Sequence, residues 1–128
     1  MLLLDTSFLV ELEAEKAASI TGPAHRFLMA RRGVPVALGI VALGEFAEGF
    51  VDKRDVENFL SPFRVLLLSR SIAHKAAAMQ SALPQRLGEN DAWIAATALE
   101  YGAELVGREN AFNRVPRLKY SPLQPSKP

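Results

Sequence analysis

DAWIAATALEYGAELV, from Asp91 to Val106, reads as a helix, a stop and a strand. Asp91 to Glu100 is helical, Gly102 stands where a glycine ends a helix, and Glu104–Val106 is a short apolar strand. The alternation continues in both directions. Upstream, Ile72, Ala76, Met79 and Leu83 recur at helical spacing, behind an apolar strand over Arg64–Ser69. Val56, Phe59 and Leu60 mark a short helix. Gly39–Phe50 reads as another, with Leu43, Phe46, Ala47 and Phe50 on one side. Val34–Leu38 is a strand with Pro35 near its start, where a missing donor is tolerated. Pro23 opens a helix that Gly33 follows, and Ser7 can cap one through Ala14. Met1–Asp5 is an apolar run closed by a carboxylate, as in a strand buried on both faces. Downstream, Lys119 and Tyr120 begin a fifth strand. Ser121–Pro128 holds three of the eight prolines and reads as a disordered tail. Solid apolar strands alternating with helices indicate an α/β domain over 1–120, with a parallel sheet of four to five strands and helices on both faces.

The size agrees. A chain of 128 residues is one domain, long enough to bury a core without staples. With 49% hydrophobic and 23% charged residues it is neither disordered nor fibrous. No cysteine is present, which removes disulfides, thiolate zinc, iron–sulfur clusters and thiol catalysis. Met1–Leu4 lacks a preceding basic residue, and Val34–Gly44 falls well short of the ~20 residues of a membrane helix. A soluble cytoplasmic protein is expected. The net charge of +1 argues weakly against holding nucleic acid by charge alone.

In an open parallel sheet the ligand crevice lies beyond the carboxyl ends of the strands. Asp5 closes the first strand, Glu109 follows the fourth, Asp91 begins the helix leading into that strand, and Glu45 lies in the helix after the second. Each has a plain reading by itself. Asp5 or Ser7 can cap a helix, Asp91 suits the helix dipole, and Glu45 beside Glu48 reads as a solvated face. Together they mean more. Carboxylates entering one crevice repel by about 4 kcal/mol per close pair at an effective dielectric near 20, so a cluster needs protons or a cation. Oxygen donors without Cys or clustered His favour Mg²⁺ or Mn²⁺ over zinc. Carboxylate-held divalent ions suit phosphodiester hydrolysis.

LLLDTSFLVEL, the acid in ALGEFAEGF, and NDAWIAATALEYGAELVGRENAF make the chain resemble PIN-domain ribonucleases, above all the VapC-type toxins of toxin–antitoxin pairs. The likeness runs from Leu2 to about Tyr120. It implies a Mg²⁺-dependent endoribonuclease that leaves a 3′-hydroxyl and a 5′-phosphate. Asp5 matches the family's first aspartate, Glu45 its helical glutamate and Asp91 the aspartate before the Ile-Ala-Ala helix. The fourth position departs from the pattern. Where the family shows Thr-x-Asp-x-x-Phe, this chain has Gly107, Glu109 and Phe112. Ser7 is implied as a supporting hydroxyl. The family also implies an RNA substrate, a small VapB-like antitoxin and a homodimer.

Other residues carry less. His25 and His74 lack partners at metal spacing, Asn90 and Glu89 read as helix-start residues, and Trp93 and Phe112 as core. Arg108, Arg114 and Arg117 lie toward the active end, and Arg108 is the candidate for meeting a substrate phosphate. Two rivals remain. A catalytically inactive PIN-like binding module is favoured by Gly107 and Glu109. A receiver-type signalling domain is disfavoured because Leu68-Ser69-Arg70 holds no acid to phosphorylate after the third strand. If four of the fourteen acids are turned over to metal, fifteen Lys and Arg face ten remaining acids, and the surface met by RNA is more basic than +1 implies.

Overall fold

The computed structural model describes residues 1–124. Five strands form one sheet in the order β3-β2-β1-β4-β5, every neighbouring pair parallel. They are β1 (Leu2–Leu4), β2 (Val36–Gly39), β3 (Arg64–Leu66), β4 (Glu104–Gly107) and β5 (Lys119–Pro122). Between them run α1 (Thr6–Ala17), α2 (Pro23–Met29), α3 (Ile40–Ala47), α4 (Lys53–Leu60), α5 (Arg70–Ala82) and α6 (Glu89–Tyr101), and a 3-10 turn over Asn110–Arg114. The expected α/β architecture is present, with the full five strands.

Apolar residues on successive positions explain the central strands. Leu3, Leu4, Ala37, Leu38, Leu105 and Val106 are fully buried, because a parallel sheet covered by crossover helices has no wet face. With the strand order β3-β2-β1-β4-β5, the usual right-handed crossover puts α1–α4 and α5–α6 on opposite faces. Gly102 adopts the left-handed conformation (φ 58°) that stops α6 and turns the chain into β4.

Local readings shift in several places, among them the second strand, Val36–Gly39 rather than Val34–Leu38, and the helix expected over Gly39–Phe50, which is Ile40–Ala47. Asp5, not Ser7, is the N-cap of α1, accepting the Phe8 N–H, and the helix runs to Ala17 rather than Ala14. The third strand stops at Leu66 instead of Ser69, leaving Leu67 and Leu68 exposed beyond the end of the edge strand. The tail expected from Ser121 begins later. β5 extends through Pro122, the Leu123 N–H donates to the Gly107 carbonyl, and the Leu123 side chain is buried. Residues 125–128 of that expected tail lie outside the described residues.

The chain reverses its progress across the sheet at β1. It moves outward through β2 to β3, then returns to add β4 on the other side of β1. The gap between the ends of β1 and β4 is the switch point at which open α/β sheets bind ligands.

Candidate active site

Asp5 follows β1 directly, and its own N–H donates to the Val106 carbonyl at 3.1 Å, so its backbone is fixed against β4. The side chain is 3% exposed. Its Oδ1 accepts from the Phe8 N–H at 3.1 Å and from the Ser7 hydroxyl at 2.5 Å. Ser7 Oγ in turn accepts the Arg108 N–H at 2.7 Å, tying the end of β1 to the segment after β4. Ser7 thus links Asp5 to the Arg108 backbone. Burial raises the Asp5 carboxyl above its usual range, against the lowering effect of Ser7 and Phe8, and the Glu109 charge raises it further.

Gly107 is required where it stands. A Cβ at this position would overlap the carboxyl group of Asp5. The hydroxyl residue of the family pattern has no room beside Asp5 in this arrangement.

Glu45 is not on a solvated face. It is half-buried, its Oε1 accepts from the Thr6 hydroxyl at 2.5 Å, and its Oε2 accepts from the Asn90 side-chain amide at 3.1 Å. One carboxylate therefore joins α3 to the first turns of α1 and α6. Asn90 does more than start a helix, and Thr6 is the second anchor of Glu45. Its place in the Asp-Thr-Ser run after an apolar strand is the sequence signal that points to it.

Asp91 lies in the first turn of α6, yet neither it nor any other side chain caps that helix. A carboxylate there is ordinarily stabilised by the helix dipole. Instead Asp91 is pushed up to about 6, by burial first and then by the charges of Glu109, Glu45 and Asp5. Asp91 thus feels the charges of the other three expected acids, and Asp5 that of Glu109. Glu109, exposed, follows β4 by two residues.

The Glu109 N–H donates to the Tyr120 hydroxyl at 2.9 Å. Tyr120 belongs to β5, and burial pushes its phenol up to about 12, with Asp5, Glu109 and Asp91 adding to the rise. From sequence alone, Tyr120 is marked only as the start of a strand. The guanidinium of Arg108, the candidate phosphate contact, pairs with Glu11 Oε1 on α1 at 3.2 Å.

Among the described residues no three acidic or histidine side chains form a ready-made cage for an ion. The donor chemistry nevertheless fits a hard divalent cation. All four side chains offer oxygen, and the ion pairs among the described residues engage Glu11, Glu15, Asp52 and Glu100, none of the four. Two other clefts, one along α5 and α6 at Ala76 and Trp93 and one at Met79, Leu99 and Pro116, contain none of these carboxylates. No described helix is long and apolar enough to cross a membrane.

Solved structures share this architecture. VapBC2 from Rickettsia felis, bound to a DNA fragment from its promoter, superposes with a TM-score of 0.79 at 21% identity, covering 96% of this chain and 98% of that one. A toxin–antitoxin complex from Klebsiella pneumoniae gives 0.74 at 25% identity, covering 92% and 95%. The sarcin–ricin-loop-cleaving toxin VapC20 of Mycobacterium tuberculosis gives 0.66 at 19% identity, covering 88% and 93%. No curated protein matches the chain in sequence. The family model of the PIN domain matches residues 2–118. A family-model match over residues 2–118, on a five-stranded parallel sheet, places this protein in the PIN-domain family, with the fold of the VapC toxins.

Proposed function

We propose that the chain is a Mg²⁺-dependent endoribonuclease, the toxin of a toxin–antitoxin pair. The observation that carries this reading is the state of Asp91. Its carboxyl, at a helix start, is pushed up to about 6 by burial first and then by the charges of Glu109, Glu45 and Asp5. Such a cluster is costly to fold and fits a protein that binds cations there. Mn²⁺ would serve the same donors.

The chain's own residues fall into clear roles. Asp5 and Asp91 would hold the ion, with Glu45 and Glu109 beside them. When bound, a divalent ion lowers the pKa of water and offsets charge building on a phosphoryl oxygen. Ser7 and the Phe8 N–H keep Asp5 in one rotamer. Thr6 and Asn90 do the same for Glu45 by occupying one oxygen each. The Arg108–Glu11 pair is partly exposed, and such pairs contribute about 0–1 kcal/mol, so the guanidinium is free to leave Glu11 for a phosphate.

The folds of complexes with antitoxins support a small antitoxin as partner, and a second copy of the chain is the other expected one. The test is cleavage of a defined RNA by purified protein in Mg²⁺, with 5′-phosphate and 3′-hydroxyl ends at the cut. Full cleavage in excess EDTA would sink the reading. Gly107 and Glu109 favour one second reading, an inactive PIN-like module, which calorimetric titration with Mg²⁺ separates by its absence of binding.

A further inference from the structure

Glu109 is the least anchored of the four acids. It is exposed, follows the glycine at 107 by two residues, and its carboxylate engages no described side chain in an ion pair. What holds its backbone comes from another strand. Tyr120 lies opposite Leu105 in the β4–β5 register, with its ring against Phe112 at a centroid separation of 5.3 Å. Phe112 is buried, so the ring is seated on a fixed partner from the 3-10 turn that follows Glu109. From that seat the hydroxyl accepts the Glu109 N–H at 2.9 Å.

That bond is a brace. The chain leaves the sheet after Gly107, and the Arg108 and Glu109 amides lie beyond the last ladder pair. The Arg108 N–H is taken by Ser7 from the β1 side, and the Glu109 N–H by Tyr120 from the β5 side. Two successive amides are thus held by hydroxyls reaching from opposite neighbours of β4. A glutamate has one more rotatable bond than an aspartate, so its carboxylate is placed only if its backbone is.

We propose that Tyr120 is a positioning residue that, through the Glu109 N–H, fixes the fourth carboxylate at the crevice. The proposal deepens the nuclease reading and rests on it for the catalytic arm alone. The phenol does not touch the reacting atoms. It acts by denying the Gly107–Asn110 segment alternative conformations.

Tyr120→Phe removes the hydroxyl and keeps the ring against Phe112. Two measurements on the full chain decide. Amide hydrogen exchange, followed by NMR, should show the Glu109 N–H exchanging at least ten times faster in the variant, with the Arg108 N–H changed much less. RNA cleavage in saturating Mg²⁺ should lose about tenfold in kcat with KM little altered, while Tm stays within about 2 °C. Unchanged exchange at Glu109, or a variant that fails to fold, overturns the proposal by making Tyr120 a packing residue only. Loss of cleavage through KM instead of kcat also overturns it. If the wild-type protein cuts no RNA, the nuclease reading falls, and the exchange measurement still decides whether Tyr120 braces Glu109.

Discussion

The Asp5 carboxyl group lies against the Cα of Gly107, in the space a side chain at 107 would fill. Two neighbouring strands, β1 and β4, thereby present one acid and one gap. Gly107→Ala must displace either the carboxylate or the end of β4. Overpacking of this kind costs about 1–3 kcal/mol. Tm should fall by roughly 4–10 °C, and cleavage by more than about a hundredfold if Asp5 holds the ion. Thermal melts and an RNA cleavage time course check both. An alanine variant of wild-type activity would show that Asp5 has room to move.

Asp5→Asn keeps the shape and the two hydrogen bonds to Oδ1 while removing the charge. Cleavage should disappear into background, with the circular dichroism spectrum unchanged and Tm equal or higher. A variant that retains substantial cleavage contradicts the assignment of Asp5.

Asp91 and Glu15 should shape the pH dependence of stability with opposite signs in the metal-free protein. Asp91 has a folded pKa of about 6 against 3.8 ordinarily, so between these values the folded state holds a proton that the unfolded state has lost. Stability must therefore fall as pH rises from about 4 to 6. Asp91→Asn should flatten that slope and raise Tm above pH 6 by a few degrees. Mg²⁺ should restore stability to the wild type and not to the variant. Thermal melts across pH, with and without Mg²⁺, give the four curves needed.

Glu15 behaves the other way. It is buried, and its two oxygens accept the N–H groups of Gly22, Ala24 and His25 and meet His25 Nδ1 at 2.7 Å. Burial pushes its carboxyl up, but the N–H groups of His25, Ala24 and Gly22 and the His25 ring outweigh that and leave it lowered. Its contribution is present above the usual carboxylate range and lost as pH falls through the lowered value. Glu15→Ala strands buried amides at the start of α2 and should destabilise by about 3 kcal/mol, read by urea unfolding. Cleavage at low temperature should persist, since Glu15 is no part of the crevice.

Thr6→Val is shaped like threonine but cannot donate to Glu45. Cleavage should drop by about tenfold, roughly 1.4 kcal/mol in the barrier, with Asn90 still holding the other oxygen. No loss would mean that Glu45 needs no fixing.

How much of this was legible differs by residue. Gly102 declares itself at a helix end, whereas Asp5 and Asp91 each also read as helix-start acids and stand out only beside the motif they share with PIN domains. Glu45 is harder to read. Helical spacing alone put it beside Glu48 on the water side, and only contacts with Thr6 and Asn90, 39 and 45 residues away, give it a crevice. Tyr120 and Glu15 escaped for the same reason, since their partners are backbone amides that no composition reveals. The third strand read long because Leu67 and Leu68 are apolar, but β3 is an edge strand and its pairing with β2 ends at Leu66.

The order of the strands has one more consequence. β1 sits at the middle of the sheet, yet the neighbour that completes its crevice is β4, beginning at Glu104. A growing polypeptide that has reached Asp91 already carries three of the four acids but lacks the wall they line. Until β4 docks, Asp5 has no Val106 carbonyl to hold it and Ser7 no Arg108 amide. The crevice is therefore completed only when β4 pairs with β1, after most of the chain has been made.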